Sequence, residues 1–178
     1  MQDSNGNFLT EKMINQQNAV STNIHEKMIY NKEKHKQLVI RSRDLKNQGK
    51  TLFRENPEEY SELLDYEIAV EEQIFWTNRG EFFLVMKDFL DNIINFDEFE
   101  TAFTLLYLKT REEFDVFVID LKQIEKFQPS TRSDRFAGYI NAIFREFEEV
   151  EDEYCTKQEV KDSVEKVYLK FQNFLNEE

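Results

Sequence analysis

Six acids crowd into eight residues near the C-terminal end: Glu146, Glu148, Glu149, Glu151, Asp152 and Glu153. Carboxylates at that density can ligate a metal ion, manage a proton, or present a negative surface to a basic partner. The first two uses need companions that this sequence does not place nearby. Its two histidines, His25 and His35, both lie in a basic N-terminal segment. No His-Glu-x-x-His or Glu-x-x-His pattern builds a zinc or di-iron centre. The stretch Asp88 to Glu100 invites an EF-hand reading, with Glu98 as the twelfth loop residue. Its first and third positions would then be Lys87 and Phe89, where calcium needs oxygen ligands, and its sixth would be Asn92. Cys155 follows the acidic run, whose charge should raise its pKa and blunt it as a nucleophile. No Gly-rich loop offers to hold phosphates, and no serine stands in a nucleophile elbow. The chain therefore reads as non-enzymatic, with no metal and no cofactor.

What remains for the acids is electrostatic. Glu146–Glu153, with Asp97, Glu98 and Glu100 as a second group, forms the candidate surface for a basic protein. The competing reading is plain: Glu146, Glu149 and Glu153, at steps of three and four, are the wet face of a helix. Trp76, the lone tryptophan, reads as a packing residue at a helix end. The short basic run Thr131 to Arg135 reads as a loop that starts a helix.

The composition sets the frame for these groups. The chain has 178 residues, 40 % of them hydrophobic, with 17 Phe and only 4 Gly and 2 Pro. That is too apolar for a disordered chain and too poor in turn residues for a β-meander, so helices around a phenylalanine-rich core are expected. One cysteine excludes an internal disulfide and fits a reducing compartment. No signal peptide or membrane span is read. The usage, rich in Phe, Ile, Asn, Lys and Glu, is that of an AT-rich genome. The expected location is soluble and intracellular, in a plastid stroma or a bacterial cytoplasm.

The net charge of −13 is unevenly spread. Residues 1–50 carry 9 Lys+Arg against 5 Asp+Glu, and the rest carry 14 against 31. The basic arm over 27–50 could contact nucleic acid, or it could fold back on the acidic part. An accessory factor using that arm, nucleic-acid-associated or organellar, is the alternative to a protein-binding role.

The elements follow from period and punctuation. The central one is Asn95 to Phe127, expected as a single long helix. Its apolar residues Phe99, Phe103, Leu106, Phe114, Phe117, Leu121 and Ile124 recur at three and four, with Thr110 the polar member. Asn95 and Glu98 form a capping box. Before it, Asn23 should cap a helix that ends near Gly49, with a thin face of Ile24, Met28, Leu38 and Leu45. Asn56-Pro57-Glu58-Glu59 is a helix start, and Gly80 should close that helix. A short helix spans 81–90. After Pro129, Ser133 should cap another, and Thr156 with Glu159 caps the last. The expected core draws on Phe83, Met86 and Phe89; on Phe99, Phe103, Leu106, Phe114 and Phe117; on Phe136, Ile140, Ile143 and Phe147; and on Val164, Val167 and Phe171.

Phe89-Leu90, Ile94, Asp97-Glu98-Phe99, Phe103, Leu106-Tyr107, Arg111 and Phe114 together resemble the bacterial self-protective, colicin-like immunity proteins. Those proteins share a short helix ending in Phe-Leu, a corner with an isoleucine, and a helix opening on Glu-Phe. The resemblance covers about residues 81–175. Asp91-Asn92 stands where that corner commonly has glycine, and residues 1–80 have no counterpart. The resemblance implies an acidic helical bundle that binds and blocks a basic toxic nuclease.

The expected architecture is all-α: a four-helix bundle over about 81–176, preceded by one or two further helices and a mobile N-terminal tail. Residues 1–50 would form the tail and the basic helical arm, and 51–178 the acidic bundle.

Overall fold

The computed structural model describes residues 29–127 and 133–172. Expectations that rest on Asn23, Ile24, His25, Lys27, Met28, Pro129, Thr131, Arg132 and residues 173–176 lie outside them. The described residues form helices and no strand: α1 (Lys32–Asn47), α2 (Leu52–Glu55), α3 (Pro57–Thr77), α4 (Arg79–Leu90), α5 (Phe96–Ile119), α6 (Leu121–Lys126), α7 (Ser133–Glu151) and α8 (Lys157–Phe171). The fold is an all-α bundle.

Side-chain caps set most of the starts. The Asn31 side chain accepts from Lys34 N, and that of Asn56 accepts from Glu59 N ahead of Pro57. Both predicted capping boxes form: Asn95 with Glu98, and Thr156 with Glu159. Each satisfies two backbone donors that the first helical turn leaves orphaned. Three helices end alike. After α1, α4 and α7 the chain turns through a left-handed residue: Gly49 (φ 71°), Asn92 (φ 56°) and Glu153 (φ 62°). In each case the two amides from that residue onward return to helix carbonyls, as Ile93 N to Asp88 O at 2.8 Å and Tyr154 N to Glu149 O at 2.8 Å. These are Schellman ends. Asn92 can hold this turn because asparagine tolerates the left-handed region.

The main core joins the end of α3 to α4, α5, α7 and α8. Phe75, Phe82, Phe99, Phe103 and Phe136 are all fully buried in it. Phe89 stacks on Phe99 with ring centroids 4.3 Å apart, and Phe103 meets Phe82, Phe99 and Phe147. The helix Pro57–Thr77, expected in front of the bundle, lies within it through Phe75 and Trp76. A second cluster joins α1, α2 and the start of α3 to Phe117 and Ile124. Thr110 sits buried on α5, its hydroxyl donating to Leu106 O at 2.9 Å, so its burial leaves no orphan group.

Several details differ from the sequence reading. The first helix, expected from Asn23, has residues 29–31 outside any helix and starts at Lys32 behind the Asn31 cap. The long helix is not single. It stops at Ile119, Asp120 turns extended (φ −95°, ψ 98°), and its side chain caps α6 by accepting from Lys122 N. The break turns Ile124 and Phe127 back beside Phe117, with the Phe117 and Phe127 rings 4.9 Å apart. Apolar period alone could not show it, because both pieces bury the same kind of stripe. Gly80 does not close a helix; Asn78 does, and Gly80 is the second residue of α4. Phe114, expected in the core, is only half-buried at the edge of the second cluster. The other expected core residues are buried.

Candidate protein-binding surface

The acidic run spans the end of α7 and the turn to α8. The helix carries it only to Glu151, so Glu153 lies beyond the helix in its left-handed turn. Glu148, Glu149, Glu151, Asp152 and Glu153 are exposed, and among the described residues none of the five enters an ion pair. Backbone bonds fix their arrangement: Asp152 N to Glu148 O, Glu153 N to Val150 O, and both Tyr154 N and Cys155 N to Glu149 O. Tyr154, 84 % exposed, stands beside them.

Glu146 is different. It is half-buried, its Oε1 accepts from the Ser163 hydroxyl at 2.9 Å, and its Oε2 is enclosed. Burial raises its pKa, against the lowering effect of the Ser163 bond. It ties α7 to α8 and does not belong to the open surface. Cys155 is held above the ordinary thiol range by partial burial first, and then by the carboxylates of Glu159, Glu146 and Glu149. A thiol so placed is a poor nucleophile.

The second acidic group reaches the same end of the bundle. Lys157, at the first turn of α8, donates to Asp97 Oδ1 at 2.7 Å, and its ammonium lies over the Phe96 ring. Lys161 donates to Asn92 Oδ1 at 2.7 Å. The start of α5 and the α7–α8 turn therefore adjoin. Their acids are unequal, however. Asp97 is paired with Lys157, Glu98 is spent on its capping box, and Glu100 is half-buried. The five carboxylates of the turn remain the open ones.

The basic arm is used differently from a free arm. Packing of α1 on α3 and α6 buries His35, Leu38 and Val39. Its cations reach neighbouring acids and carbonyls: Lys34 to Glu62, Lys36 to Glu125, Arg41 to Glu59, and Arg43 to Ile119 O. Lys32 donates to Glu125 O at 3.0 Å. The sequence reading set His35 between the residues of the thin apolar face and weighed it only as a metal ligand. It is fully buried, stacked on Tyr66 at 5.4 Å, with Nδ1 bonded to the Tyr30 hydroxyl at 2.8 Å. Its Nε2 is enclosed with no partner among the described residues. Burial lowers its pKa to about 4. The helical step to Leu38 and Val39 was a signal that His35 faces inward; a thin apolar stripe hid it.

Among the described residues no group of three or more His, Cys, Asp or Glu is placed to hold a metal ion. None of their helices is long and apolar enough to cross a membrane. No family model, curated protein or solved structure matches the chain.

Proposed function

We propose that this is a non-enzymatic binding protein that takes a basic protein partner on the acidic α7–α8 turn, in the manner of an immunity-like inhibitor of a nuclease. One observation carries the reading. Five carboxylates, on the last turn of α7 and the turn that follows it, stand open and, among the described residues, without an ion pair, on a backbone fixed by hydrogen bonds. A preorganised charged surface loses little entropy on binding and steers an oppositely charged partner to itself. The nucleic-acid alternative is less well supported, because most cations of α1 are already engaged within the bundle.

The test neutralises Glu148, Glu149, Glu151 and Asp152 to Gln or Asn and leaves Glu146 in place. The partner is a basic nuclease domain encoded beside this gene, if one is found, or else the protein captured by pull-down. Affinity should fall, and the association rate should fall with it and lose its salt dependence. Unchanged affinity and rate, with the fold intact by circular dichroism, would remove the site. Nuclease inhibition by the wild-type chain but not by the variant would support the inhibitory role.

A further inference from the structure

The described residues hold two cores, and α1 belongs to the smaller. Leu38 and Val39 of α1, Leu52 of α2 and Ile124 of α6 lie in the second cluster, and among the described residues none of these three helices gives a side chain to the main core. His35 is buried on the same face of α1 as Leu38 and Val39. It has no exposed surface. Tyr66 of α3 stacks on its ring, and Tyr30 meets it edge-on with centroids 5.6 Å apart. Tyr30 in turn meets Phe127, at the end of α6, at 5.2 Å. Aromatic rings from three stretches of chain thus gather about one imidazole.

This site suits a neutral ring and not a charged one. An imidazolium has two N–H donors. The Tyr30 oxygen, 2.8 Å from Nδ1, can accept one. Nε2 is enclosed and meets no acceptor among the described residues. A charged donor shut away from water without a partner costs far more than a neutral one. The charges around the site are spent on one another. Lys34 pairs with Glu62 of α3, Lys36 with Glu33 of its own helix and Glu125 of α6, and Arg41 with Glu59 of α3. Lys32 donates to the Glu125 carbonyl. Glu62 also accepts from the Tyr66 hydroxyl at 3.1 Å, and Asp65 lies near that hydroxyl. Burial, first among the causes, holds Tyr30 and Tyr66 above the ordinary phenol range, so both stay neutral in acid. The chain leaves α1 through Gly49, where a Cβ would meet no atom within 4 Å, so the helix has room to swing.

We propose that α1 is an acid-released clasp: protonation of His35 undocks α1 from α3 and α6, while the main core stays folded. Release returns the imidazolium to water and parts Lys34, Lys36 and Arg41 from their acids. It is a local opening, which a dependence of global stability on pH does not by itself require. The sign follows from burial. The His35 pKa falls from 6.5 to about 4 in the docked state, so undocked α1 takes up the proton more readily. Docking keeps its full strength above about pH 6.5 and weakens as pH falls toward 4. Glu125 stays ionised down to about pH 5, because its bond to Lys36 holds its pKa below the ordinary carboxylate value.

The experiment is hydrogen exchange of the full chain at pH 7, 6 and 5, read as protection factors corrected for the intrinsic pH dependence of exchange. Protection over α1 should lie at least roughly tenfold below that over α8 at each pH, as a local opening requires. It should fall on the order of twentyfold between pH 7 and pH 5. Trp76, buried in the main core, should keep its emission over that range. His35→Phe and His35→Leu, neither of which titrates, should hold α1 protection level, with circular dichroism as the check on each fold. Equal protection over α1 and α8 would make the chain one cooperative unit and overturn the proposal. So would α1 protection that stays unchanged from pH 7 to pH 5, a red shift of Trp76 over that range, or an equal fall in either folded variant.

Discussion

At the scale of single residues, burial decides what each group does. Phe103 lies at the meeting of Phe82, Phe99 and Phe147, with no exposed surface. Phe103→Ala should cost about 3–5 kcal/mol, read by chemical denaturation, because those three rings cannot all collapse into the gap. His35 carries a pH dependence. Its pKa falls from 6.5 to about 4 on folding because the charged ring would lose its water. The unfolded chain thus binds the extra proton more readily. The stability due to neutral His35 is complete above about pH 6.5 and is lost as pH falls toward 4, on the order of 3 kcal/mol in all. A urea titration at pH 7, 6, 5 and 4 should show that slope, and His35→Phe should flatten it. An equal slope in both proteins would assign the acid sensitivity elsewhere.

At the scale of elements, the helix ends hold the informative chemistry. The same turn closes α1, α4 and α7, but with residues of different fitness. Gly49 enters the left-handed region freely, Asn92 at small cost, and Glu153 against the clash of its Cβ with the following carbonyl. Glu153→Gly should therefore stabilise the fold by about 1 kcal/mol, even though it removes a charge from the proposed binding turn. Gly138 presents the converse case. It lies exposed inside α7, and a Cβ there would meet no atom within 4 Å. Gly138→Ala should add about 0.5–1 kcal/mol by restricting the unfolded chain. A thermal melt of each variant checks the sign. A loss at Glu153→Gly would show that its side chain has a stabilising contact.

At the scale of the whole molecule, the arm and the bundle are one packed structure over the described residues. Deleting 1–50 would strip Leu38 and Val39 from the second cluster and His35 from its stacking on Tyr66. It would confuse lost binding with lost folding. A cleaner probe of the arm is limited proteolysis of the intact chain. α1 should resist cleavage as long as α3 does, since both bury residues in the same cluster. Early cutting within 32–47 would show that α1 undocks in solution. The divided charge of the sequence finds a use here: basic α1 lies against Glu59, Glu62 and Glu125.

The sequence by itself determined the helical class, the caps at Asn56, Asn95 and Thr156, and most of the main core. These depend on local rules: a capping side chain acts within one turn, and an apolar residue at helical spacing must be buried somewhere. Asn95 with Glu98, Thr156 with Glu159, and the stripe Val160, Val164, Val167 and Phe171 are legible for that reason. What the tertiary structure decided was which partner each face would meet. The break at Asp120 exists because Ile124 and Phe127 find Phe117 and α1, contacts distant in sequence. The acidic run separated into half-buried Glu146 and open Glu148, Glu149, Glu151, Asp152 and Glu153 because only packing of α7 on α8 puts Ser163 beside one carboxylate. His35 became a core residue because Tyr30 and Tyr66 close around it. Spacing within one helix names a face; the opposing helix settles whether that face is dry, paired or left to solvent.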